Sequence, residues 1–191
     1  MRKKSFLLVM APLCLYFSSY ARQTTPEKQL GVGNKLPESF WQQKHNFYQN
    51  GQYSIKNLAD YKGKLLILDF WATWCGSCIN KFRTIESLQA QFAGEVVFLL
   101  VNTQNTQDDA VKIDRLLSGQ KYNRKPYALS SIYLDTYMHQ LFPHGYMPYY
   151  VLISPSAEVR AILPAELITA KNIKLMLQAY SRKTKRGGNN D

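Results

Sequence analysis

The sequence DFWATWCGSC occupies residues 69–78 and joins two segments with different apolar patterns. Residues 64–70 form an apolar run that ends in an acid, which predicts a strand buried on both faces. After the stretch, apolar residues recur at spacings of three and four, which predicts an amphipathic helix. These residues are Cys78, Phe82, Ile85, Leu88 and Phe92. The two cysteines of the stretch therefore lie between a buried strand and the start of a helix.

The segments on both sides of this stretch alternate between strand and helix patterns. Strands are predicted at residues 96–101, 131–134, 149–153 and 158–163, helices at 108–118, 136–142 and from Thr169 onward, and a hairpin turn at Asn50-Gly51. This order predicts an α/β fold with a central mixed β-sheet covered by helices. Ligand chemistry in such folds lies at the carboxyl ends of the strands, which is where both cysteines fall.

A thiol at the start of a helix is favoured as thiolate. The helix N-terminus offers unpaired N–H groups and the positive end of the helix dipole, and thiolate is the form that attacks a disulfide. We expect Cys75 to be the exposed nucleophile and Cys78, one turn further, to resolve the mixed disulfide. Trp71 and Trp74 are expected to shield this site from water. The pattern predicts thiol–disulfide exchange.

The cysteine pair has two other interpretations, a zinc site and a structural disulfide. The pair is half of a zinc site if His139 and His144 supply the remaining ligands, although structural zinc pairs usually lie in short polar knuckles. It is a purely structural disulfide in the second interpretation, although so small a loop stabilises little. The redox interpretation is preferred, with no metal and no cofactor besides the Cys75–Cys78 disulfide. It leaves the three histidines, including His45, as surface or structural residues.

The N-terminus has the three-part pattern of a secretory signal peptide. Three basic residues at 2–4 precede a short apolar run at 5–17, and Ser19 and Ala21 are the small residues before a cleavage site. We predict a signal peptide at residues 1–21. An uncleaved membrane anchor is the first alternative, and a lipoprotein modified at Cys14 is the second.

Composition and charge exclude several classes of protein. With 46% apolar and 19% charged residues, the 191-residue chain is neither disordered nor a collagen-like repeat, and a single domain is expected. The net charge of +11 resides largely at the two ends, and no basic stripe interleaved with aromatic residues indicates a nucleic-acid partner. We predict a flexible lead-in at 22–35, a domain at 36–181 and a basic polar tail at 182–191.

Residues 69–78 resemble the active-site stretch of thioredoxins. Met147-Pro148, placed just before the strand at 149–153, resembles the cis-proline of that family. Residues 32–37 and 58–64 make the chain most similar to exported TlpA/ResA-type thiol–disulfide oxidoreductases, and the resemblance covers about residues 31–180. It implies a thioredoxin-like fold, with a central mixed β-sheet flanked by helices and an N-terminal β extension.

The resemblance also implies roles for single residues. Cys75 is the nucleophile and Cys78 the resolving thiol. Asp69 matches a buried acid that exchanges a proton with Cys78, since burial raises the pKa of a carboxyl; its alternative is a strand-end acid that caps or pairs with a lysine. Pro148 is cis and leaves the backbone of Met147 free to pair with a substrate chain; its alternative is an ordinary trans proline at a strand start.

The sequence departs from the family pattern at three positions. Ser77 replaces the usual proline between the cysteines and adds an N–H and a hydroxyl near Cys75, which predicts a more oxidising couple than that of thioredoxin. Lys81 stands where ResA-type proteins carry an acid, so their acid-mediated specificity is in doubt. Arg83 replaces a helix-kinking proline, which predicts a straighter helix. The residues expected to contact the substrate are Trp74, Gly76, Ser77 and Met147.

The sequence-based hypothesis is therefore an exported, periplasmic thiol–disulfide oxidoreductase that reduces protein disulfides through Cys75-Gly-Ser-Cys78. Its expected partners are disulfide-bearing protein substrates and a membrane thiol electron donor, with no stable membrane insertion after signal removal. A disulfide oxidase or isomerase with the same site is the first alternative. A metal or apocytochrome thiol chaperone is the second, and a non-catalytic binding module with an inert cysteine pair is the third.

Overall fold

A computed structural model describes residues 28–187 of the chain, with side chains described through residue 181. The predicted signal peptide, with Cys14, lies outside the described residues, as do residues 22–27 of the lead-in and the end of the tail. No helix within residues 28–187 is long and apolar enough to cross a membrane.

The described residues form a seven-stranded mixed sheet flanked by helices. The strands are β1 (His45–Gln49), β2 (Gln52–Lys56), β3 (Leu65–Phe70), β4 (Val96–Thr103), β5 (Ser131–Asp135), β6 (Tyr149–Ile153) and β7 (Val159–Leu163). The helices are α1 (Glu38–Gln42), α2 (Gly76–Gln91), α3 (Ala110–Leu117), α4 (Tyr137–Leu141) and α5 (Ala170–Gly187). The strand order is β2-β1-β5-β4-β3-β6-β7, with β3, β4 and β5 parallel and the other pairings antiparallel. The predicted α/β fold is confirmed, and β1 and β2 form its N-terminal extension.

Strand β3 lies inside the sheet, between β4 and β6, and is buried along its whole length. Its side chains alternate between the two faces, so Leu65 and Ile67 join one apolar cluster while Leu66 and Leu68 join the other. The first cluster includes the buried face of α2, and the second includes side chains of α1 and α4. The continuous apolar run of the sequence therefore reflects a strand with helices on both sides.

Local signals set the predicted boundaries. Asn50 and Gly51, with φ of 52° and 75°, form the hairpin turn between β1 and β2. The side chain of Asp109 caps α3 by accepting from the N–H of Lys112 at 2.7 Å. Thr169 caps α5 in the same way, because its Oγ1 accepts from a backbone N–H of the first turn at 3.2 Å.

Two predicted segments differ in the structure. The lead-in predicted as flexible is attached to the core from Leu30 onward: the N–H of Leu30 donates to Leu141 O and that of Gly33 to Val159 O, both at 2.8 Å. These backbone bonds attach the segment to α4 and to the start of β7, which a polar composition with two glycines did not reveal. Helix α5 continues to Gly187, into the segment predicted as a tail. Neither glycine nor proline interrupts the chain there before Gly187, so a helix can continue through it.

Candidate active site

The two cysteines lie at the junction of β3 and α2, where the sequence placed them. Cys75 and Cys78 form a disulfide with a Cα–Cα distance of 5.3 Å. Cys75 is the N-cap of α2, and Cys78 lies in its first turn. Cys75 is 6% exposed and Cys78 is 0% exposed, so Cys75 is the more accessible residue of the pair.

Polar donors surround the sulfur of Cys75. The backbone N–H of Cys78 donates to Cys75 Sγ at 3.2 Å, which is the bond that a capping side chain makes at a helix N-terminus. The hydroxyl of Ser77 lies 3.5 Å from the same sulfur. After reduction, a thiolate at this position has both donors and the positive end of the α2 dipole beside it.

Asp69 lies on the face of the sheet that α2 covers. Along β3 it follows Leu65 and Ile67 in alternation, and it is fully buried. Burial raises the pKa of this carboxyl well above its usual value, and the hydroxyl of Tyr150 on β6 opposes that shift more weakly. No lysine in the described part of the chain pairs with it. The structure thus contains a buried acid with a raised pKa on the same side of the sheet as the disulfide.

The Met147–Pro148 peptide bond is cis, as expected, and β6 begins at the next residue. Met147 is partly buried against the apolar cluster that contains Cys75 and Cys78. It also lines a cavity of about 160 Å³ together with Trp74. The structure therefore brings together two of the predicted substrate-contacting residues, from chain segments more than seventy residues apart.

The two tryptophans have different environments. Trp71 is fully buried, donates from Nε1 to Ser131 Oγ at 3.0 Å and packs edge-on against Phe82, so it belongs to the core beneath the disulfide. Trp74 is 65% exposed, although its Nε1 donates to Thr106 O at 2.9 Å. Most of the Trp74 ring faces solvent, so the predicted shielding from water rests on Trp71.

A hydrogen-bonded group around Thr73 was missed by the sequence analysis. The N–H and the hydroxyl of Thr73 donate to the carboxylate of Asp108, at 2.9 and 2.5 Å. Nδ2 of Asn102 donates to the same carboxylate at 2.7 Å, and Nζ of Lys121 donates to Thr73 O at 2.8 Å. The sequence carried one signal for this group: two acids, Asp108 and Asp109, precede α3, although one side chain is enough to cap a helix.

The contacts of the three histidines are with residues other than the two cysteines. His45 is buried, with Nδ1 2.7 Å from Oδ2 of Asp135. The ring of His144 stacks on Tyr149, and burial lowers the pKa of this imidazole. His139 lies beside His144, with 5.7 Å between ring centroids. Within residues 28–187, no group of three or more His, Cys, Asp and Glu side chains is arranged to hold a metal ion.

Arg83 connects α2 to the loop that precedes β5. Its guanidinium lies 4.2 Å from the ring centroid of Tyr127, donates to Pro126 O at 3.1 Å and to Lys125 O, and pairs with Glu86 at 2.8 Å. Helix α2 runs without interruption over sixteen residues, while its straightness stays a prediction. Lys81 is half-buried and forms no ion pair with any described residue.

Comparison with known proteins places this geometry in a family. The thioredoxin family model matches residues 46–114. The thioredoxin of Coprinus comatus is 33% identical over 76 residues, which cover 36% of this chain and 72% of that protein. The thiol-disulfide oxidoreductase ResA of Oceanobacillus iheyensis is 24% identical over 166 residues, which cover 86% of this chain and 81% of that protein. Several other curated relatives are matched over only 44% to 64% of their own length.

Solved structures show the same architecture. The thioredoxin domain of a thiol-disulfide oxidoreductase from Bacteroides vulgatus superposes with a TM-score of 0.55, at 14% identity, over 80% of this chain and 99% of that domain. At this identity, the likeness shows the fold alone. The sequence matches show the family as well: the chain belongs to the thioredoxin-like superfamily.

Proposed function

We propose that the protein is an exported thiol–disulfide oxidoreductase that reduces disulfides in protein substrates. The observation that carries this proposal is the arrangement of the two sulfurs at the start of α2. Cys75 Sγ accepts the N–H of Cys78 and is the more accessible sulfur, while Cys78 is fully buried behind it. One thiol is thus placed to attack an outside disulfide, and the other is placed to attack the first.

The reaction has two steps. In the first, the thiolate of reduced Cys75 attacks one sulfur of the substrate disulfide, and the other substrate sulfur leaves as a thiolate. In the second, the thiolate of Cys78 attacks Cys75 Sγ, which closes the Cys75–Cys78 disulfide and releases the second substrate thiolate. The substrate disulfide gains two electrons and two protons, and the enzyme dithiol loses them.

Asp69 is assigned the proton transfer of the second step. The thiol of Cys78 is buried and must lose its proton before it attacks, so a base on the same side of the sheet is needed. Burial raises the pKa of Asp69 well above its usual value, which makes its carboxylate a stronger base than an exposed one. Its ionised form accepts the Cys78 proton.

The proposed setting follows from the sequence of residues 1–21, which directs export to the periplasm. A dithiol consumed there is regenerated by another dithiol, for which we propose a thiol protein of the membrane. Protein disulfides are the proposed substrates because the site is open. Trp74 is exposed beside the disulfide, and Met147 lines a cavity with it in which an extended chain can lie.

A second candidate is the same chemistry in the oxidising direction. The Ser77 hydroxyl, 3.5 Å from Cys75 Sγ, favours this candidate because it stabilises the reduced thiolate and so makes the disulfide a stronger oxidant.

The reduction potential of the Cys75–Cys78 couple tests the direction. Equilibration of the purified protein with dithiothreitol or glutathione buffers gives the value directly. A potential near about −270 mV supports a reductant, and one between about −180 and −120 mV supports an oxidase or isomerase. The proposed activity itself would be contradicted if the protein, with Cys75 and Cys78 both reduced, failed to reduce a protein disulfide.

A further inference from the structure

A groove of about 670 Å³ runs beside Trp74 on the side away from Met147. One wall is the active-site segment Thr73-Trp74, and the opposite wall is helix α3 with the loop that follows it. Of the residues that line it, only Trp74 was used in the function proposed above. Because Trp74 borders it, anything bound in the groove lies next to the disulfide.

The acidic side chains of the groove are already engaged. Asp108 accepts three hydrogen bonds, two from Thr73 and one from Asn102. Asp109 caps α3 and lies 3.5 Å from Nζ of Lys112. Neither carboxylate therefore needs a partner from outside the protein.

The cationic side chains of the groove are less engaged. Arg115 is exposed on α3 and forms no ion pair or hydrogen bond with any residue from 28 to 181. Lys121 donates to the neutral carbonyl of Thr73 and lies over the ring of Tyr122, so its charge is not neutralised. The groove thus presents net positive charge beside the disulfide.

Apolar surface lies between these charges. Trp74 is 65% exposed and Val111, on the first turn of α3, is 68% exposed. Large apolar side chains left in solvent beside a functional site indicate a surface that a partner covers. A partner that fits carries both an apolar side chain and carboxylates.

We propose that this groove binds an extended acidic segment of the disulfide-bearing protein substrate. The proposal rests on the proposed reductase function and adds a charge preference to it. The segment's apolar side chain packs on Trp74 and Val111, and its carboxylates pair with Arg115 and Lys121. The substrate disulfide is thereby held against Cys75 before attack.

The experiment uses three peptides that differ only in charge. Each carries one cysteine as a mixed disulfide with thionitrobenzoate, and the residues flanking the cysteine are Glu, Gln or Lys. Stopped-flow absorbance measures thionitrobenzoate release by the reduced protein under single-turnover conditions. The compared proteins are the parent, Arg115→Glu, and the matched control Lys44→Glu, whose lysine is exposed, forms no ion pair within residues 28–181, and does not line the groove.

The parent is expected to react about two- to fivefold faster with the Glu peptide than with the Gln peptide, as one or two exposed ion pairs allow. Arg115→Glu removes or reverses this ratio, and a far-UV circular dichroism spectrum like that of the parent shows that the variant is folded. Lys44→Glu retains the parent ratio. Arg115→Gln gives an intermediate ratio and is the test variant if Arg115→Glu does not fold.

Three results would overturn the proposal. Equal falls in the ratio for Arg115→Glu and Lys44→Glu would assign the preference to overall charge. Equal parent rates with the Glu and Gln peptides would refute the charge preference. If sedimentation also showed a dimer that Arg115→Glu dissociates, the groove would be assigned to a second copy of the chain. Release from none of the peptides would refute the reductase function as well, so that failure is distinct from the other two.

Discussion

The carboxylate of Asp108 accepts hydrogen bonds from both the backbone N–H and the hydroxyl of Thr73, two residues before Cys75. Nζ of Lys121 donates a hydrogen bond to the carbonyl of Thr73. All three polar groups of Thr73 are therefore bonded to side chains outside the active-site stretch. The segment that presents Cys75 is fixed by contacts that lie more than thirty residues further along the chain.

Replacing Asp108 should loosen this segment. Asp108→Asn replaces a charged acceptor with a neutral one, and hydrogen bonds to charged groups are the stronger ones, so we expect the free energy of unfolding to fall by about 1–2 kcal/mol. Asp109→Asn is the matched control, with the same charge change at the neighbouring position. It should cost less than about 0.5 kcal/mol because Asn caps a helix as well as Asp. Urea denaturation of the oxidised proteins measures both, and equal losses would show that charge alone matters.

Asp69 should make the folded protein less stable as the pH rises. Its folded-state pKa lies above the unfolded value of 3.8, so the folded state binds the extra proton between the two values. The stability that this proton provides is complete below the unfolded pKa and is lost as pH rises through the folded pKa. Asp69→Asn should therefore be more stable than the parent at pH 8, with a difference that shrinks toward pH 4.

Urea denaturation at pH 4, 6 and 8 tests the Asp69 prediction. Asp60→Asn is the control, because Asp60 is an exposed acid that precedes the same strand. A stability difference for Asp69→Asn that stays constant with pH would show that the buried carboxyl does not titrate differently on folding.

The Ser77 hydroxyl should raise the reduction potential of the disulfide. Ser77→Ala removes a donor 3.5 Å from Cys75 Sγ, which destabilises the reduced thiolate. A hydrogen bond of about 0.5–1.5 kcal/mol corresponds to a shift of about 10–30 mV toward a more reducing couple. Equilibration with glutathione buffers measures it. Thr84→Ala, on the exposed side of α2, is expected to leave the potential unchanged, and an equal shift there would implicate the helix as a whole.

The order of attack can be read from trapped intermediates. Cys78→Ser retains the accessible thiol but lacks the resolving one, so it should accumulate a mixed disulfide with a protein substrate. Cys75→Ser keeps only a fully buried thiol and should accumulate little. Mass spectrometry of the alkylated reaction mixtures distinguishes the two. Equal trapping by both variants would refute the assigned roles of the cysteines.

The part of the fold that the sequence predicted is the part set by local patterns. The buried run of β3, the three- and four-residue spacing of α2 and the turn at Asn50-Gly51 each depend on near neighbours in the chain. The position of the cysteine pair at the junction followed from the first two.

Long-range contacts were outside the reach of these patterns. The bonds between Asp108 and Thr73 join residues 35 positions apart, and the extra acid beside Asp109 did not indicate which residue it bonds. Arg83 was noted only for the proline it replaces, while its contacts with Lys125 and Pro126 depend on where the loop folds back. The lead-in was misjudged because composition does not show which backbone groups find partners in the sheet.

The N-terminal segment of the domain, from Leu30 to Lys56, protects the sheet against association with other chains. Its first residues occupy backbone groups at the start of β7, and its hairpin β1–β2 covers β5 on the opposite side. Without it, the edge of β5 and the start of β7 would be open to pairing with unfolded polypeptide. Of the two outer strands of the sheet, β2 is five residues long, is mostly exposed and ends in Lys56, features that discourage further strand addition.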